Sequence, residues 1–127
     1  LANWAHARVE AAALTAADGP YRGIAPARLL DILDDQMADL GDAKTVIVHG
    51  SLSASDVWFH PESGLSLTTW DHVGLGDCHL DLAMGAKLLG DTYGYAVVAP
   101  FFEAYDLDRV DAVRLDAFQL LVHLLTT

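Results

Sequence analysis

Two stretches of this sequence decide its fold: residues 49–56, HGSLSASD, and residues 69–83, TWDHVGLGDCHLDLA. The first stretch directly follows a β-branched run at residues 45–48, which is typical of a short buried strand that ends in a loop. The second contains a glycine-rich segment at residues 74–76, which we interpret as a turn, and leads into an apolar pattern typical of a helix. We therefore expect both polar stretches to lie in loops at the ends of regular elements.

A β-hairpin is predicted between the two stretches. Residues 57–59 and 65–70 are rich in aromatic and β-branched side chains, and Pro61-Glu62-Ser63-Gly64 between them has turn chemistry. The remainder of the chain shows apolar residues at helical spacing. The predicted helices lie at about residues 3–17, 26–40, 80–89 and 100–105, and from residue 107 onward.

The composition favours a packed, acidic domain. Hydrophobic residues make up 53% of the chain, and 18 acidic residues against 7 basic ones give a net charge of −11. Such a charge repels nucleic acid and anionic membranes and attracts cationic partners. No apolar run approaches the roughly 20 residues of a spanning helix, and the first residues do not have the pattern of a signal peptide. Cys78 is the single cysteine, so a cytoplasmic, reducing compartment is expected.

The first stretch resembles the catalytic loop of the aminoglycoside phosphotransferases and other small-molecule phosphotransferases. The pattern of that loop is His-Gly-Asp, four residues, then Asn. The second stretch is similar to the metal-binding segment of the same family, which is Asp-Trp, three residues, Gly-Leu-Gly-Asp-Pro, two residues, Asp-Leu-Ala. The resemblance extends over essentially the whole chain and rests on these two motifs in the right order and spacing.

The resemblance implies an α+β fold, mainly helical, namely the C-terminal lobe of a protein-kinase-like fold with a β-hairpin. It also implies a preceding N-terminal lobe with a glycine-rich loop and a nucleotide-contacting lysine. Residues 1–45 contain nothing similar to that lobe, and the chain does not begin with Met. We therefore expect residues 1–127 to form a single domain, which is either a fragment or a lobe with another use.

Three of the positions that carry the family's chemistry depart from its pattern. Ser51 stands where the family has the aspartate that orients and deprotonates the substrate hydroxyl. Asp56 and Thr69 stand where the family has the asparagine and the aspartate that hold magnesium. Serine does not act as a base without an activator, and a neutral threonine is a weak magnesium ligand. These replacements predict that the chain does not transfer phosphate by itself, although Asp56 retains a weak capacity for a cation.

Two further residues leave alternatives open. Asp71 offers a second register for the metal-binding aspartate, but Thr69 has the family spacing of twelve residues to Asp81. If residues 69–71 were in a strand, Asp71 would face the same side as Thr69 and would partly compensate for it. His49 is expected to anchor the loop by hydrogen bonds, with acid–base catalysis as the alternative.

The remaining candidate residues are expected to be structural. Asp81 corresponds to the family aspartate that braces the catalytic loop, and an acid in the first turn of a helix also interacts well with the helix dipole. Asp77 lies in the family's glycine-containing segment. Asp77, Cys78 and His79 are metal-ligand types, but their spacing matches no closed zinc pattern, so no metal is expected.

The expected function is therefore non-catalytic. The chain would bind a small molecule, with a cationic one favoured by the acidic charge, or a protein partner. No cofactor is expected, and ATP with Mg²⁺ would bind only if an N-terminal lobe completed the site. One alternative is an enzyme that reuses the cleft for non-phosphoryl acid–base chemistry through His49, Asp56 or Asp71. The other is the C-terminal half of a split or larger ATP-dependent antibiotic phosphotransferase.

The protein partner has two expected forms. In a complete kinase-like protein, the hairpin residues Val57, Trp58, Phe59 and Leu65 face the other lobe. Without that cover they would expose apolar surface, which soluble proteins rarely leave open in large patches. We therefore expect either a homodimer that buries the hairpin or association with the missing N-terminal lobe.

Overall fold

The computed structural model describes residues 21–42 and 44–126, so the helix predicted at residues 3–17 lies outside the described residues. The described residues divide into two compact units, a first unit of residues 21–42 together with 112–126 and a second unit of residues 44–111. The fold is α+β and mainly helical, with two small antiparallel sheets, as the sequence predicts. The motif residues of interest all lie in the second unit.

The first unit is built on two helices in contact with each other, α1 (Pro26–Asp39) and α4 (Ala112–Thr126). Pro26 occupies the first turn of α1, where its missing N–H costs nothing. The leucines of α1 and the apolar residues between positions 117 and 124 of α4 are buried. These core residues are Leu29, Leu30 and Leu33 of α1, and Ala117, Phe118, Leu120, Leu121, Val122 and Leu124 of α4.

The predicted start of the last helix at about residue 107 is wrong. Residues Leu107–Arg109 form a separate 3-10 turn, and α4 begins only at Ala112. The turn is capped by the Asp106 carboxylate, which accepts the Asp108 N–H at 3.1 Å. Val110 then adopts an extended conformation that interrupts the helix. A local side-chain cap therefore overrides the helical periodicity here.

The second unit contains two two-stranded antiparallel sheets. One pairs β1 (Thr45–Val48) with β4 (Gly74–Asp77), and the other is the predicted hairpin of β2 (Val57–His60) and β3 (Gly64–Leu67). The sequence predicts β1 and the hairpin but places β3 about three residues too far, since residues 68–70 are not in a strand.

The glycine-rich segment at residues 74–76 is a strand, whereas the sequence predicts a turn. Val46 pairs with Gly76 and Val48 with Gly74, so glycines lie opposite the valines of β1. A Cβ on Gly76 would approach Val48 Cγ2 to 3.2 Å, which is a tight contact. The glycines thus allow the two strands to approach closely. Because the paired residues are about thirty positions apart, the local sequence does not indicate this pairing.

Helix α2 (Cys78–Tyr93) follows β4 without a loop and is longer than predicted. Asp77 caps its first turn, and its side chain accepts the His79 N–H at 3.0 Å. The helix ends at Gly94, which has a φ of 88° that only glycine adopts freely. Gly90, just past the predicted end at residue 89, lies inside the last turn.

A 3-10 turn at Tyr95–Val97 joins α2 to α3 (Val98–Tyr105). The two helices pack at Gly85, because a Cβ there would lie 2.7 Å from the tip of the Phe101 ring. Phe101 also packs against Phe102, with ring centroids 5.3 Å apart. Phe101 and Phe102 therefore contribute to the packing of α3. Within residues 21–42 and 44–126, no helix combines the length and apolarity needed to cross a bilayer.

Candidate functional site

The loop after β1 is anchored by His49, which is buried with 4% of its surface exposed. Its Nε2 lies 2.8 Å from the Thr68 carbonyl oxygen, and since a carbonyl only accepts, Nε2 carries the proton. Nδ1 accepts a long hydrogen bond from the Ser51 N–H at 3.4 Å. The ring also contacts Trp70 at 4.8 Å between centroids. Both ring nitrogens are thus engaged in holding the loop to the residues after the hairpin.

A single carboxylate fixes the backbone of the same loop. Asp81, in the first turn of α2, accepts the His49 N–H on Oδ2 at 2.7 Å and the Gly50 N–H on Oδ1 at 3.0 Å. Gly50 has a φ of 87°, and a Cβ there would lie 2.5 Å from the His72 carbonyl oxygen. Only glycine fits this position, which explains the His-Gly pair in chemical terms.

Asp56 and Thr69, which stand at two of the replaced positions, meet in the structure. Asp56 is buried, and its Oδ2 accepts the backbone N–H of Ser53 at 2.8 Å and the Ser53 hydroxyl at 2.9 Å. These hydrogen bonds lower the pKa of Asp56, and the Thr69 hydroxyl contributes a further hydrogen bond in the same direction. Asp56 is therefore an ionised carboxylate whose acceptors are occupied by neighbouring hydroxyl and amide groups.

Thr69 has a strained backbone. Its φ of 61° lies in the left-handed region, which is unfavourable for a β-branched residue. Thr68 on its N-terminal side is held by the Asp56 carbonyl, which accepts the Thr68 N–H at 2.8 Å. The contacts of Thr68 and Thr69 therefore hold Thr69 in a backbone conformation that is unfavourable for an isolated threonine.

Asp71 does not lie in a strand with Thr69. Strand β3 ends at Leu67, and residues 70–73 form a turn closed by the Val73 N–H and the Trp70 carbonyl at 3.2 Å. Asp71 is exposed in this turn. The alternative in which Asp71 would compensate for Thr69 required a strand through residues 69–71, and these residues are not in a strand. Ser51 lies in the anchored loop, half-buried, with its N–H directed to His49.

The Asp77, Cys78 and His79 side chains place three ligand-type atoms within 4.8 Å of one another. The His79 Nε2 accepts the Asp111 N–H at 3.0 Å, so Nδ1 carries the proton and donates it to Asp77 Oδ1 at 2.6 Å. A metal on Nδ1 would force the proton onto Nε2, against the Asp111 N–H. These hydrogen bonds therefore link the start of α2 to residue 111, and they disfavour a metal at this cluster.

Tyr105 and Asp111 complete this cluster, although the sequence does not single them out. A hydrogen bond between Tyr105 and the Cys78 side chain raises the pKa of the Tyr105 hydroxyl. Asp111 contributes its backbone N–H. Sequence patterns predict neither contact, because each joins the start of α2 to a residue about thirty positions further along the chain.

The comparisons with solved structures agree with this arrangement. The structure of an aminoglycoside-3'-phosphotransferase of type VIII matches 97% of this chain and 49% of its own, with 22% identity and a TM-score of 0.76. Aminoglycoside phosphotransferase APH(3'')-Id from Streptomyces rimosus matches 98% of this chain and 50% of its own, with 19% identity and a TM-score of 0.69. No family profile and no curated protein matches the sequence.

These matches show the fold. The chain spans about half the length of the phosphotransferases that it matches, and the predicted kinase-like lobe with a β-hairpin is confirmed as its architecture. At 19–22% identity the likeness extends to the fold alone, so activity and ligands must be argued from the residues of this chain.

We predict that Asp81→Asn destabilises the protein by about 1–3 kcal/mol. An asparagine offers one oxygen acceptor, and its amide group would face one of the two backbone N–H donors of His49 and Gly50. Asp91→Asn is the matched control, since Asp91 lies on the same helix in an exposed pair with Lys87. The control should cost about 0.3–0.5 kcal/mol. Urea unfolding measures both, and equal effects would contradict the bracing role.

We also predict a pH effect from Asp56. Because its folded pKa is lowered, Asp56 contributes stability above its unfolded pKa of about 3.9, and this contribution is lost as the pH falls through the lower folded pKa. The stability difference between the wild type and Asp56→Asn should therefore be large at pH 7 and shrink at pH 3. Asp71→Asn, an exposed change of the same charge, controls for net charge. A difference that is constant over this range would contradict the prediction.

Proposed function

We propose that this chain is a phosphotransferase-like domain that does not itself transfer phosphate and serves to bind a small cationic molecule. The observation that carries the proposal is the state of Asp56. Its Oδ2 accepts both the backbone N–H and the hydroxyl of Ser53, and the Thr69 side chain also acts to lower its pKa. In a magnesium site, Oδ2 would face the ion instead.

The chemistry of the other two replaced positions supports the same conclusion. Ser51 does not supply the base that would deprotonate a substrate hydroxyl. The nearby His49 does not take over this role, because both of its ring nitrogens hold the loop. The Thr69 hydroxyl is directed to Asp56 and is neutral. Loss of a positioned general base alone lowers a rate by about 10²–10⁴-fold, and the weaker metal site adds to that loss.

An enzyme using the same loop for acid–base chemistry receives less support. His49 would have to release the Thr68 carbonyl or the Ser51 N–H in order to exchange a proton with a substrate. Asp56 is ionised, and its oxygens already accept hydrogen bonds. Asp71 is exposed in a turn, where water competes with any substrate. The polar groups of the loop therefore serve to hold its conformation.

The charge of the chain favours a cationic ligand. Its net charge of −11 attracts cations and repels anions over distances of about a Debye length, roughly 8 Å at physiological ionic strength. The loop after β1 adds the buried, ionised Asp56, and the turn of residues 70–73 adds the exposed Asp71. An amine-rich small molecule matches this field better than a nucleotide does.

A second candidate function follows from the length of the matches. The chain spans about half of each phosphotransferase that it resembles in fold. It would then be one half of a larger or split phosphotransferase, with the nucleotide-binding half on the same or another polypeptide. An adjoining coding sequence for a glycine-rich nucleotide-binding half would favour this second candidate.

We predict no saturable binding of ATP at millimolar concentration in the presence of Mg²⁺, measured by calorimetry on this chain. The physical reason is the hydrogen-bonded state of Asp56 together with the neutral Thr69. The triple variant Ser51→Asp, Asp56→Asn, Thr69→Asp restores the family residues. It should remain without phosphotransfer if the nucleotide-binding half is also needed. Magnesium-dependent, saturable ATP binding by the wild type would contradict the proposal.

We predict weak, salt-sensitive binding of an aminoglycoside. Affinity should fall steeply between low and high salt, because exposed charge attraction is screened. A thermal-shift titration at the two salt concentrations measures it, with spermine as a generic polycation for comparison. The double variant Asp56→Asn, Asp71→Asn should lose affinity for the aminoglycoside, whereas Asp91→Asn on α2 should not. Binding of both compounds that is equal in all variants would reduce the effect to nonspecific attraction.

A further inference from the structure

The His79 side chain is a buried titratable group that the candidate functional site does not use. It exposes 4% of its surface, and both of its ring nitrogens are hydrogen-bonded. Nδ1 donates to Asp77 Oδ1 at 2.6 Å, and Nε2 accepts the Asp111 N–H at 3.0 Å. Nε2 can accept a backbone N–H only through its lone pair, which the imidazole has only when it is neutral. The link between the start of α2 and residue 111 therefore depends on an uncharged His79.

Protonation of His79 breaks one of these two hydrogen bonds and keeps the other. An imidazolium carries a proton on both nitrogens, so two donors, Nε2–H and the Asp111 N–H, would face each other across 3.0 Å. Nδ1 keeps its proton, and its hydrogen bond to the Asp77 carboxylate becomes an ion pair. Charging the ring therefore separates residue 111 from α2, while His79 stays in place beside Asp77.

The surroundings of the ring contain charges of both signs. The titratable and charged groups around it come from β4, α2, α3 and the segment before α4, and they are Asp77, Cys78, Tyr105, Arg109 and Asp111. The carboxylates of Asp77 and Asp111 favour a charged ring, whereas Arg109 and the positive end of the α2 dipole oppose it. Because Asp77 contacts the ring directly, the nearest charge favours uptake of a proton.

The segment of residues 106–111 is suited to local release. Residues 106–109 and 111 are exposed, and Val110 is half-buried. The hydrogen bonds within the segment are local, since the Arg109 N–H binds the Asp106 carbonyl at 3.0 Å and the Val110 N–H binds the Leu107 carbonyl at 3.1 Å. Exposed segments of this kind open at a small fraction of the free energy of global unfolding. The bond from Asp111 to His79 can therefore break without opening the helices.

We propose that His79 is a pH-sensitive switch, which holds residues 106–111 to the start of α2 while its ring is neutral and releases them when the ring is protonated. Histidine is the side chain whose charge ordinarily changes between about pH 5 and pH 8. The hydrogen bond to Asp111 is thus present at the upper end of this range and lost as the pH falls. By linkage, the released form of the segment binds the proton more tightly than the attached form does.

NMR spectroscopy of the isotope-labelled chain between about pH 8 and pH 5 tests this proposal. The ring nitrogens of His79 report its charge, and hydrogen exchange, corrected for the intrinsic rate at each pH, reports the protection of the Asp111 amide. Protection of Asp111 should fall by about ten-fold, the equivalent of one net hydrogen bond. The fall should have the same midpoint as the ring titration. The amides of the β1–β4 ladder are the internal reference and should keep their protection.

His79→Gln removes the titratable ring and keeps an acceptor, because the side-chain oxygen of glutamine accepts an N–H at any pH. Protection of Asp111 in this variant should change by less than about two-fold over the same range. His60→Gln is the matched control, since His60 lies exposed at the end of β2, and it should behave like the wild type. Asp77→Asn keeps a good capping residue at the start of α2 but removes the ion pair. It should move the Asp111 transition to lower pH by about one unit or more.

The proposal is overturned if the His79 ring does not titrate over this range, or if it becomes charged while Asp111 stays protected. An equal loss of Asp111 protection in His79→Gln would assign the loss to another group. Loss of protection throughout the β1–β4 ladder with the same midpoint would show unfolding of the second unit instead of release of one segment. If His79→Gln does not fold, the shared midpoint in the wild type and the shift in Asp77→Asn decide between these outcomes.

Discussion

The two hydrogen bonds from the backbone of His49 and Gly50 to the Asp81 carboxylate organise the rest of the second unit. They join the loop after β1 to the first turn of α2, over more than thirty residues. The His49 ring then extends the same tie to the residues after the hairpin, through the Thr68 carbonyl. A single carboxylate thus connects the sheet, the hairpin and the helix, and Gly50 permits it because its backbone conformation and its contact with His72 exclude a side chain.

Under the proposed function, the anchored loop keeps the frame of a catalytic loop without its catalytic groups. The frame needs only backbone donors, a bracing carboxylate and a glycine, and these groups are present. The chemistry of phosphoryl transfer needs a base and metal ligands in addition, and at those positions the chain has Ser51 and the hydrogen-bonded pair of Asp56 and Thr69. The strained conformation of Thr69 shows that the frame imposes its geometry on whichever residue occupies the position.

The exposed apolar residues of the two sheets contrast with the well-buried helices. The cores of α1 and α4 bury their leucines almost completely, whereas the cross-strand pair Phe59 and Leu65 is about 70% exposed. A structure of this kind is compatible with the matched phosphotransferases, which contain about as much chain again outside the match.

The sequence by itself determined the fold class, the helices α1 and α2, strand β1, the hairpin and the identity of the loop residues, because these depend on local periodicity, turn chemistry and motif spacing. Only the tertiary structure decided that residues 74–76 form a strand, that Asp71 lies in an exposed turn and that α4 starts at Ala112. It also decided the protonation of His49 and His79, through the Thr68 carbonyl and the Asp111 N–H. These features depend on partners far away in the chain, and local residue preferences carry no information about such partners.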